Sequence, residues 1–509
     1  MTKVIPLFHT VKFLKITQIY FRIFYFLRGK WRKITRFTYP FSKESTSYPL
    51  KLEPSLKSHP HHSDREFTFL NLTKEFDGRI DWNYKNHGKL WTYNLSYFEY
   101  LTEKTDLALI HEFIDSMEKL KDPLEPFPIS LRGINWIKFL TYLSIRDKRI
   151  DDNLYAQYSI LLDNLEYHLL GNHLLENGFS LLFGAYYFQD NTLYAKAKEI
   201  LCNELREQIL DDGAHFELSP MYHQIMLYRV LDCINLIKHN SYRNQELLAL
   251  LTRKASLMLG WLENITYRDG SIPMVNDSAE KIAPSSNELL AYALQLKIMP
   301  DILPLKESGY RKIKKNNYEC LLDIGKIGPD YIPGHAHADT FHFELHCHET
   351  PFIVDCGTST YEANERRMVE RGSVSHNTVT VEGKNSSIVW GGFRVAQRAK
   401  IINLYEDTDY LKATHNGYQS IGILHTRTWS FRDTSIRIED TLSQEANAVA
   451  RLHFHPNISK EDIITRIKSN HPIIFSTYNY ATQFNQLQDA LCVEIPFRQN
   501  LAVEITITP

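Results

Sequence analysis

The sequence predicts an α+β multidomain protein, with a helical N-terminal part followed by an antiparallel β-rich part. The chain has 509 residues, which is too many for a single hydrophobic core. Apolar residues recur at helical spacing from about residue 96 to residue 300. After about residue 315, short alternating or apolar runs separated by turn residues replace that pattern. Such runs are typical of an antiparallel β-sandwich or a similar double sheet.

Composition and charge exclude several classes of partner. The net charge of −2 gives no overall field that favours nucleic acid or an acidic membrane surface. The six cysteines form no CxxC pair, so the sequence has no zinc-finger or redox signature, and we expect no organic cofactor. The aromatic content of 12% is on the high side. It fits either large aromatic cores or a carbohydrate cleft in which rings stack on sugar faces.

We predict that residues 1–75 form an amphipathic helix and a connecting arm with little regular structure. Lysines and arginines interrupt the apolar N-terminal stretch, so we expect neither a secretory signal nor a membrane span. The stretch ends in a basic cluster at residues 28–33. Such a helix packs on its own domain or contacts a membrane surface or a partner. We therefore expect the protein in the bacterial cytoplasm or peripheral to the inner membrane.

Residues 76–312 are predicted to form a helical domain. An early loop carries Trp91, Tyr93 and Asn94, which either line a sugar cleft or plug the end of the domain. Seven segments then show apolar residues at i, i+3, i+4 spacing, with short Gly, Asp or Asn breaks between them. These segments predict antiparallel helical hairpins, which make an α/α toroid if the ring closes and a bundle if it stays open.

Two polar features of the helical domain are candidates for chemistry. Asn172 and His173 lie at a break between two apolar helices, where they form either a cap or core pair or a recognition site for a substrate carboxylate. Farther along, Ser219 is a good N-cap and Pro220 fits the first helical position. Tyr222 then lies in the first turn, where the helix dipole favours a tyrosinate or a nearby substrate carboxylate.

The β-rich part, residues 313–509, contains the strand-like run TFHFELHCH. Its apolar residues alternate with polar ones, which places the polar side chains on one face of the predicted strand. We expect that face to be solvated, and its residues are His342, Glu344, His346 and His348.

A group of histidines and carboxylates lies beside this run. His335 and His337 precede it next to Gly334, where the backbone can approach another group closely. Asp355 stands at the end of the next predicted strand, and His376 follows after a further segment. The set suits either a zinc-like site or a hydrogen-bonded polar cluster that holds loops to the sandwich.

Six motifs follow one another in a family's order: GNHLLENG at 171–178, FELSPMYHQ at 216–224, RDGSIPMVNDS at 268–278, GHAHADTFHFEL at 334–345, FIVDCGT at 352–358 and SVSHNTV at 373–379. With these motifs the sequence resembles the heparinase II/III-like polysaccharide lyases, a family that also includes some alginate lyases. The likeness spans roughly residues 80 to 460. It implies an α/α toroid at 76–312 and an antiparallel β-sandwich at 313–509.

The resemblance implies cleavage of a uronate-containing polysaccharide by β-elimination. In that reaction a hexuronate carboxylate is neutralised, a base removes the C5 proton and an acid protonates the departing O4. By matching motif, Asn172 and His173 would clamp the carboxylate. Tyr222 would protonate O4, or also abstract the C5 proton when the stereochemistry allows, and His335 would be the second acid/base. The product would carry a 4,5-unsaturated uronate.

The resemblance also implies a structural Zn²⁺ held by His337, Asp355 and His376, which would brace the loop of His335 from behind. Arg371 would add positive charge near the substrate or form an ordinary ion pair. The expected partner is an anionic polysaccharide, in a role that includes surface-polysaccharide metabolism. Two alternatives are a glycan hydrolase and a non-catalytic glycan-binding protein of polysaccharide assembly.

Overall fold

The computed structural model describes residues 9–56, 61–243 and 246–507. It confirms a helical N-terminal part followed by antiparallel β-structure. The longer helices are α1 (Ile16–Ile34), α2 (Lys89–Tyr97), α3 (Leu107–Ser116), α4 (Pro126–Tyr142), α5 (Lys148–Asp163), α6 (Gly171–Phe188), α7 (Asn191–Gln208), α8 (Pro220–His239), α9 (Glu246–Ile265) and α10 (Ser286–Gln295). Within the described residues, no helix is long and apolar enough to cross a membrane.

All seven predicted helical segments are helices, and side-chain caps mark where several of them begin. The Asp147 carboxylate accepts from two backbone amides at the start of α5, and Asp190 does the same at the start of α7. Ser219 caps α8, with Pro220 in its first turn, as predicted. The helices α3 to α10 share one hydrophobic core, and nearly every residue of α6 is buried in it.

The connecting arm was predicted to have little regular structure, and this is wrong at its C-terminal end. A small antiparallel sheet forms there, in the order β1 (His61–Ser63), β2 (Glu66–Phe69) and β3 (Leu72–Glu75). Phe67 and Phe69 point to the same side of β2 and are buried. Phe69 packs against Trp91 with ring centroids 5.2 Å apart. The aromatic pair therefore anchors the sheet on the helical domain.

Three larger sheets make up the C-terminal part, and all their pairings are antiparallel. The first has the order β4 (Tyr310–Lys314), β5 (Tyr318–Asp323), β6 (Phe343–Cys347), β7 (Thr350–Ile353). The second has the order β17 (Ile474–Gln483), β18 (Gln486–Phe497), β15 (Ala448–His453), β8 (Val379–Val381). The third has the order β11 (Ile401–Asp407), β12 (Tyr410–His415), β13 (His425–Arg432), β14 (Ser435–Leu442), β19 (Asn500–Thr506), β16 (Ile467–Ser469).

The three sheets bury their apolar faces in a common core. Phe343, Trp429 and Val493, one from each sheet, are fully buried in the same cluster. Strand β14 shows the alternation that this packing requires, with every second residue buried. A two-stranded ribbon, β9 (Val389–Trp390) with β10 (Arg394–Val395), and two short helices, α11 (Glu365–Glu370) and α12 (Lys460–Arg466), complete this part.

The polar face of β6 was predicted to be solvated, and this is wrong for all but its last member. His342, Glu344 and His346 are no more than 4% exposed, whereas His348 lies beyond the strand and is exposed. Glu344 accepts hydrogen bonds from the Tyr267 hydroxyl at 3.1 Å and the Met274 amide at 2.9 Å. The helical domain therefore covers Glu344 and His346, whereas His342 is buried against Asp355 and His376.

Candidate active site

The predicted acid/base residues meet where the helical domain contacts the β-rich part. Tyr222 lies in the first turn of α8, and its amide donates to the Ser219 Oγ at 3.2 Å. His335 lies in the loop before β6, and its ring centroid is 3.9 Å from that of Tyr222. The Tyr222 hydroxyl is 3.2 Å from the Tyr361 hydroxyl. The structure thus brings together two residues that are far apart in the sequence.

Burial sets the protonation of Tyr222. It raises the pKa of the phenol well above its usual value, and the nearby carboxylates of Asp277 and Glu217 act in the same direction. These effects outweigh the hydrogen bond from Tyr361, which acts to lower the pKa. The tyrosinate considered for the start of α8 is therefore disfavoured, and the Tyr222 phenol keeps its proton.

Asp277 fixes the orientation of His335. The imidazole Nδ1 lies 2.8 Å from Asp277 Oδ2, and the Asp277 amide donates to the His335 carbonyl at 3.1 Å. Although burial opposes ionisation, Arg367 and the two imidazoles hold the pKa of Asp277 well below its usual value. An ionised carboxylate only accepts hydrogen bonds, so the proton is on Nδ1 of His335. In the neutral form of this imidazole, the lone pair is on Nε2.

Asp277 is the centre of a buried charge network. Arg367 contacts both carboxylate oxygens, with Nη2 at 2.6 Å from Oδ2, and His337 Nε2 lies 2.9 Å from Oδ1. The carboxylate and the guanidinium are both fully buried. Bidentate Arg–carboxylate pairs are geometrically specific, so this network holds the loop of His335 in register with the helical domain. Asp277 belongs to the motif RDGSIPMVNDS, but its role was not predicted from the sequence.

The predicted carboxylate clamp lies at the N-terminus of α6. Asn172 is buried, and about a third of the His173 side chain is exposed. The His173 Nδ1 is 3.0 Å from Glu166 Oε1. Burial opposes a charge on this imidazole, but the Glu166 carboxylate outweighs it and raises the pKa of His173. A partly exposed imidazole with a raised pKa beside a helix N-terminus favours an anionic group in the cleft.

Glu217 links the clamp to the acid/base pair. Its Oε1 lies 3.5 Å from the Asn172 amide, and its Oε2 lies 3.8 Å from His335 Nε2. The Oε2 atom is buried and has no hydrogen-bond partner within the described part of the protein. Burial raises the pKa of this carboxyl. The predicted carboxylate clamp (Asn172 and His173) and the predicted acid/base pair (Tyr222 and His335) thus lie on either side of the buried Glu217.

The predicted substrate-binding role of Trp91 is wrong. Its side chain is fully buried, and its Nε1 donates to the Leu72 carbonyl at 2.9 Å. The small N-terminal sheet covers it, so the ring cannot stack on a sugar. Tyr93 and Asn94 remain partly exposed; the Tyr93 hydroxyl donates to Glu125, and the Asn94 amide donates to the Leu90 carbonyl at 2.8 Å. Their role in substrate binding stays a prediction.

The prediction that Arg371 adds charge near the substrate is also wrong. Its guanidinium is fully buried and donates to the carbonyls of Ala336 at 2.9 Å and of Gly391 and Gly392 at 3.1 Å. Arg371 therefore holds the backbone between His335 and His337. The arginine that forms the buried ion pair with Asp277 is Arg367, one helical turn earlier.

The predicted metal ligands are only partly brought together. Among the residues that the structure describes, His342, Asp355 and His376 form the one trio whose ligand atoms lie within 4.8 Å of one another. Asp355 Oδ2 is 2.7 Å from His376 Nδ1 and 3.4 Å from His342 Nε2. His337 lies outside this trio: its Nε2 contacts Asp277, and its buried Nδ1 has no hydrogen-bond partner among the described residues. The trio includes His342, which was predicted to lie on a solvated face, and His337 as a metal ligand stays a prediction.

The chemistry of the trio fits a zinc ion. Two imidazoles and one carboxylate are ligands that zinc uses in proteins. Nε2 of His342 and Nε2 of His376 are buried without a hydrogen-bond partner in residues 9–56, 61–243 and 246–507. Burial lowers the pKa of His342 to about 3, which keeps its imidazole in the neutral form that binds metals. Buried atoms without a partner are costly, and a bound cation would satisfy them.

Two models of known protein families match the chain. The model described as heparinase II/III N-terminus matches residues 150–302, and the model described as heparinase II/III-like, C-terminal matches residues 299–495. Together they span residues 150–495, which is more than half of the chain. The chain belongs to the heparinase II/III-like family. The motifs of this family hold Tyr222, Asp277 and His335, the residues that meet in the site.

Individual relatives agree with this membership. A heparin-sulfate lyase of Bacteroides stercoris is 25% identical over 251 residues, which cover 43% of this chain and 37% of that protein. The chain therefore matches little more than a third of the length of this relative. A solved heparinase III has a TM-score of 0.64 at 15% identity, over 85% of this chain and 80% of that one. A heparan sulfate lyase from Pedobacter heparinus has a TM-score of 0.54 at 15% identity, over 87% and 81%. These structural likenesses show the fold.

Proposed function

We propose that this heparinase II/III-like protein is a polysaccharide lyase that cleaves uronate-containing glycans by β-elimination. The observation that carries the proposal is the contact of the Tyr222 phenol with the His335 imidazole, next to the Asn172–His173 pair. These groups supply the proton donor, the proton acceptor and the carboxylate site that the reaction needs. The name of the Bacteroides stercoris relative supports the same class of reaction.

The first step is neutralisation of the substrate carboxylate. His173, whose pKa is raised by Glu166, attracts the carboxylate to the N-terminus of α6 in its cationic form. Asn172 and the helix amides add hydrogen-bond donors at the same place. Withdrawal of negative charge from the carboxylate acidifies the proton on C5, so the clamp acts on the transition state and not only on binding.

The second step transfers two protons. The lone pair on His335 Nε2 takes the C5 proton, and the electrons of the C5–H bond form the C4–C5 double bond. The C4–O4 bond breaks, and Tyr222 gives its phenolic proton to O4. Asp277 stabilises the imidazolium that forms, because its carboxylate accepts the hydrogen bond from Nδ1. No water enters the products, which is the difference from hydrolysis.

The lyase proposal predicts a direct spectroscopic result. Incubation with heparan sulfate, alginate, hyaluronan and bacterial capsular glycans should give an ultraviolet absorbance increase from unsaturated uronate with at least one of them. New reducing ends should appear in equal number. Reducing ends without the absorbance would favour a glycan hydrolase, and binding without either product would favour a glycan-binding protein.

We also propose that a structural Zn²⁺ is held by His342, Asp355 and His376. When bound, the ion would supply a fixed charge that neutralises buried imidazole and carboxylate atoms. These residues lie behind the loop of His335, which Asp277 and Arg371 hold from other sides. The proposed ion would therefore stabilise the site without contacting the substrate.

Removal of the metal should lower thermal stability. We expect a chelator to lower the melting temperature of the wild-type protein, and added Zn²⁺ to restore it. The His376→Ala variant should contain less than about a tenth of the zinc of the wild type, because it lacks one of the three proposed protein ligands. Its melting temperature should not respond to the chelator, which provides the control. Zinc-free purified protein with a chelator-insensitive melting temperature would contradict the metal proposal.

A further inference from the structure

Helix α1 packs on the helical domain with polar and aromatic side chains and presents other apolar ones to solvent. On its inner face, Gln18 is 1% exposed, and its Nε2 donates to the Leu169 carbonyl at 2.9 Å. One Arg28 nitrogen lies 2.9 Å from Asp163 Oδ1, and Arg32 contacts the same carboxylate. The inner face therefore combines these polar contacts with aromatic ones, such as the stacking of Phe21 on Tyr167 at 4.7 Å.

The outer face of α1 is an apolar stripe with aromatic members. Its residues follow one another at spacings of three or four, so they lie on one side of the helix. Single exposed apolar residues are normal on a protein surface, but a contiguous stripe marks an interaction site. The stripe and its exposed fractions are Ile16 (85%), Tyr20 (60%), Ile23 (56%), Leu27 (58%), Trp31 (65%) and Ile34 (77%).

The surroundings of the apolar stripe are cationic. The chain has no acidic residue before Glu44, whereas Lys30, Lys33 and Arg36 are exposed at the C-terminal end of α1. A pocket of about 370 Å³ opens beside the inner face and is lined by Arg22, Arg28, Arg32, Asn164 and His168, among others. Arg28 and Arg32 of this lining already pair with the Asp163 carboxylate. Apolar and cationic groups thus share one surface.

We propose that α1 lies in the surface of an anionic lipid bilayer, with the apolar stripe in the headgroup boundary and the cations at lipid phosphates. Interfacial helices have this composition, with Trp, Phe and Leu on one face and Lys and Arg beside it. Trp31 and Tyr20 are the ring types that favour the membrane interface. Basic residues near an anionic leaflet add attraction that salt weakens.

A second copy of the chain is a poorer occupant of the same surface. A two-fold dimer through α1 would place the same patch of each subunit against the other. Lys30, Lys33 and Arg36 would then face their own copies, and the helix carries no acidic residue to pair with them. Like charges across an interface oppose association. An anionic bilayer satisfies both the apolar and the charged groups.

Binding at α1 would set the candidate active site close to the bilayer. Lys15 lies over the Tyr331 ring, 4.1 Å from its centroid, in the segment that leads to His335. Gln18 contacts the Leu169 carbonyl, three residues before Asn172. The inner face of α1 therefore contacts the segments that precede both halves of the site. A glycan that lies close to the membrane would reach the cleft while the protein stays bound to the bilayer.

Sedimentation with lipid vesicles tests the proposal. The full chain should bind vesicles of phosphatidylcholine mixed with phosphatidylglycerol, and bind phosphatidylcholine alone more weakly. The double variant Ile23→Glu/Leu27→Glu should lower the vesicle partition coefficient about tenfold or more. The matched control is Ile464→Glu, which changes a residue that is 58% exposed on α12 and should leave binding unchanged.

Charge reversal and light scattering distinguish lipid binding from self-association through α1. The variant Lys30→Glu/Lys33→Glu should reduce binding to the anionic vesicles most strongly at low salt. Melting temperatures should stay close to the wild type, because the inner-face contacts of α1 are unchanged in both double variants. Failure of the wild type to bind either vesicle would overturn the proposal. So would a wild-type dimer, seen by light scattering, that Ile23→Glu/Leu27→Glu converts to a monomer without any vesicle binding.

Discussion

Replacement of Tyr222 by phenylalanine should lower kcat/KM for a uronate glycan by about 10²- to 10⁴-fold, the range typical of a lost general acid. The hydroxyl is the group that we propose to protonate O4, and the change removes only that group. The phenylalanine ring keeps the packing against His335. The melting temperature should therefore stay near that of the wild type.

The matched control for this experiment is Tyr361→Phe. The hydroxyls of Tyr361 and Tyr222 contact each other, so either variant removes the same hydrogen bond. If the hydrogen bond were the important feature, both variants would lose activity equally. We expect Tyr361→Phe to keep most of its activity, because Tyr222 retains its proton. Initial rates of unsaturated product decide the outcome, and full activity in Tyr222→Phe would contradict the role of Tyr222.

Replacement of Asp277 by asparagine should reduce both stability and activity. The amide has nearly the same shape, but it removes the charge that faces Arg367, His335 and His337. A buried charge that loses its partner costs about 3–5 kcal/mol, so we expect the free energy of unfolding to fall by that amount. The amide can also donate to Nδ1 of His335, which favours the wrong tautomer for a base at Nε2. We expect kcat to fall by about 10²-fold or more for this reason.

The stability effect has a surface control. Asp330→Asn also removes a carboxylate from an ion pair, that with Arg398, but the Asp330 side chain is 74% exposed. A pair of this kind contributes less than about 1 kcal/mol. Urea unfolding of both variants gives the comparison, and rates should be measured well below the melting temperature of Asp277→Asn. Equal stability of the two variants would contradict the buried network.

Much of the fold follows from local patterns in the sequence. The helical segments have clear caps and apolar spacing, and Ser219 with Pro220 marked the start of α8 at the right residue. The small sheet at 61–75 was missed, because its strands are only three or four residues long. The buried polar face of β6 was missed for a different reason. Alternation identifies two faces of a strand, but only the tertiary structure shows that the helical domain covers the second one.

The site was predictable where a motif and a chemical requirement agreed. Tyr222 and His335 come from separate motifs, and the structure places them in contact. The local sequence could not show which of two chemically equivalent residues makes a given contact. Arg367 and Arg371 lie one turn apart, and the orientation of α11 gives the carboxylate of Asp277 to the first. In the same way, the Nε2 of His337 contacts Asp277, and His342 is the imidazole that lies with Asp355 and His376 in the trio.

The most direct test of the proposed reaction is the mass of the products from one purified uronate oligosaccharide. A β-elimination that uses Tyr222 and His335 adds no water, so the masses of the two fragments should sum to that of the parent glycan. The fragment with the new non-reducing end should carry the unsaturated uronate, and Tyr222→Phe should form both fragments at least about 10²-fold more slowly. Fragments whose summed mass exceeds the parent by one water would show hydrolysis and contradict the proposed reaction.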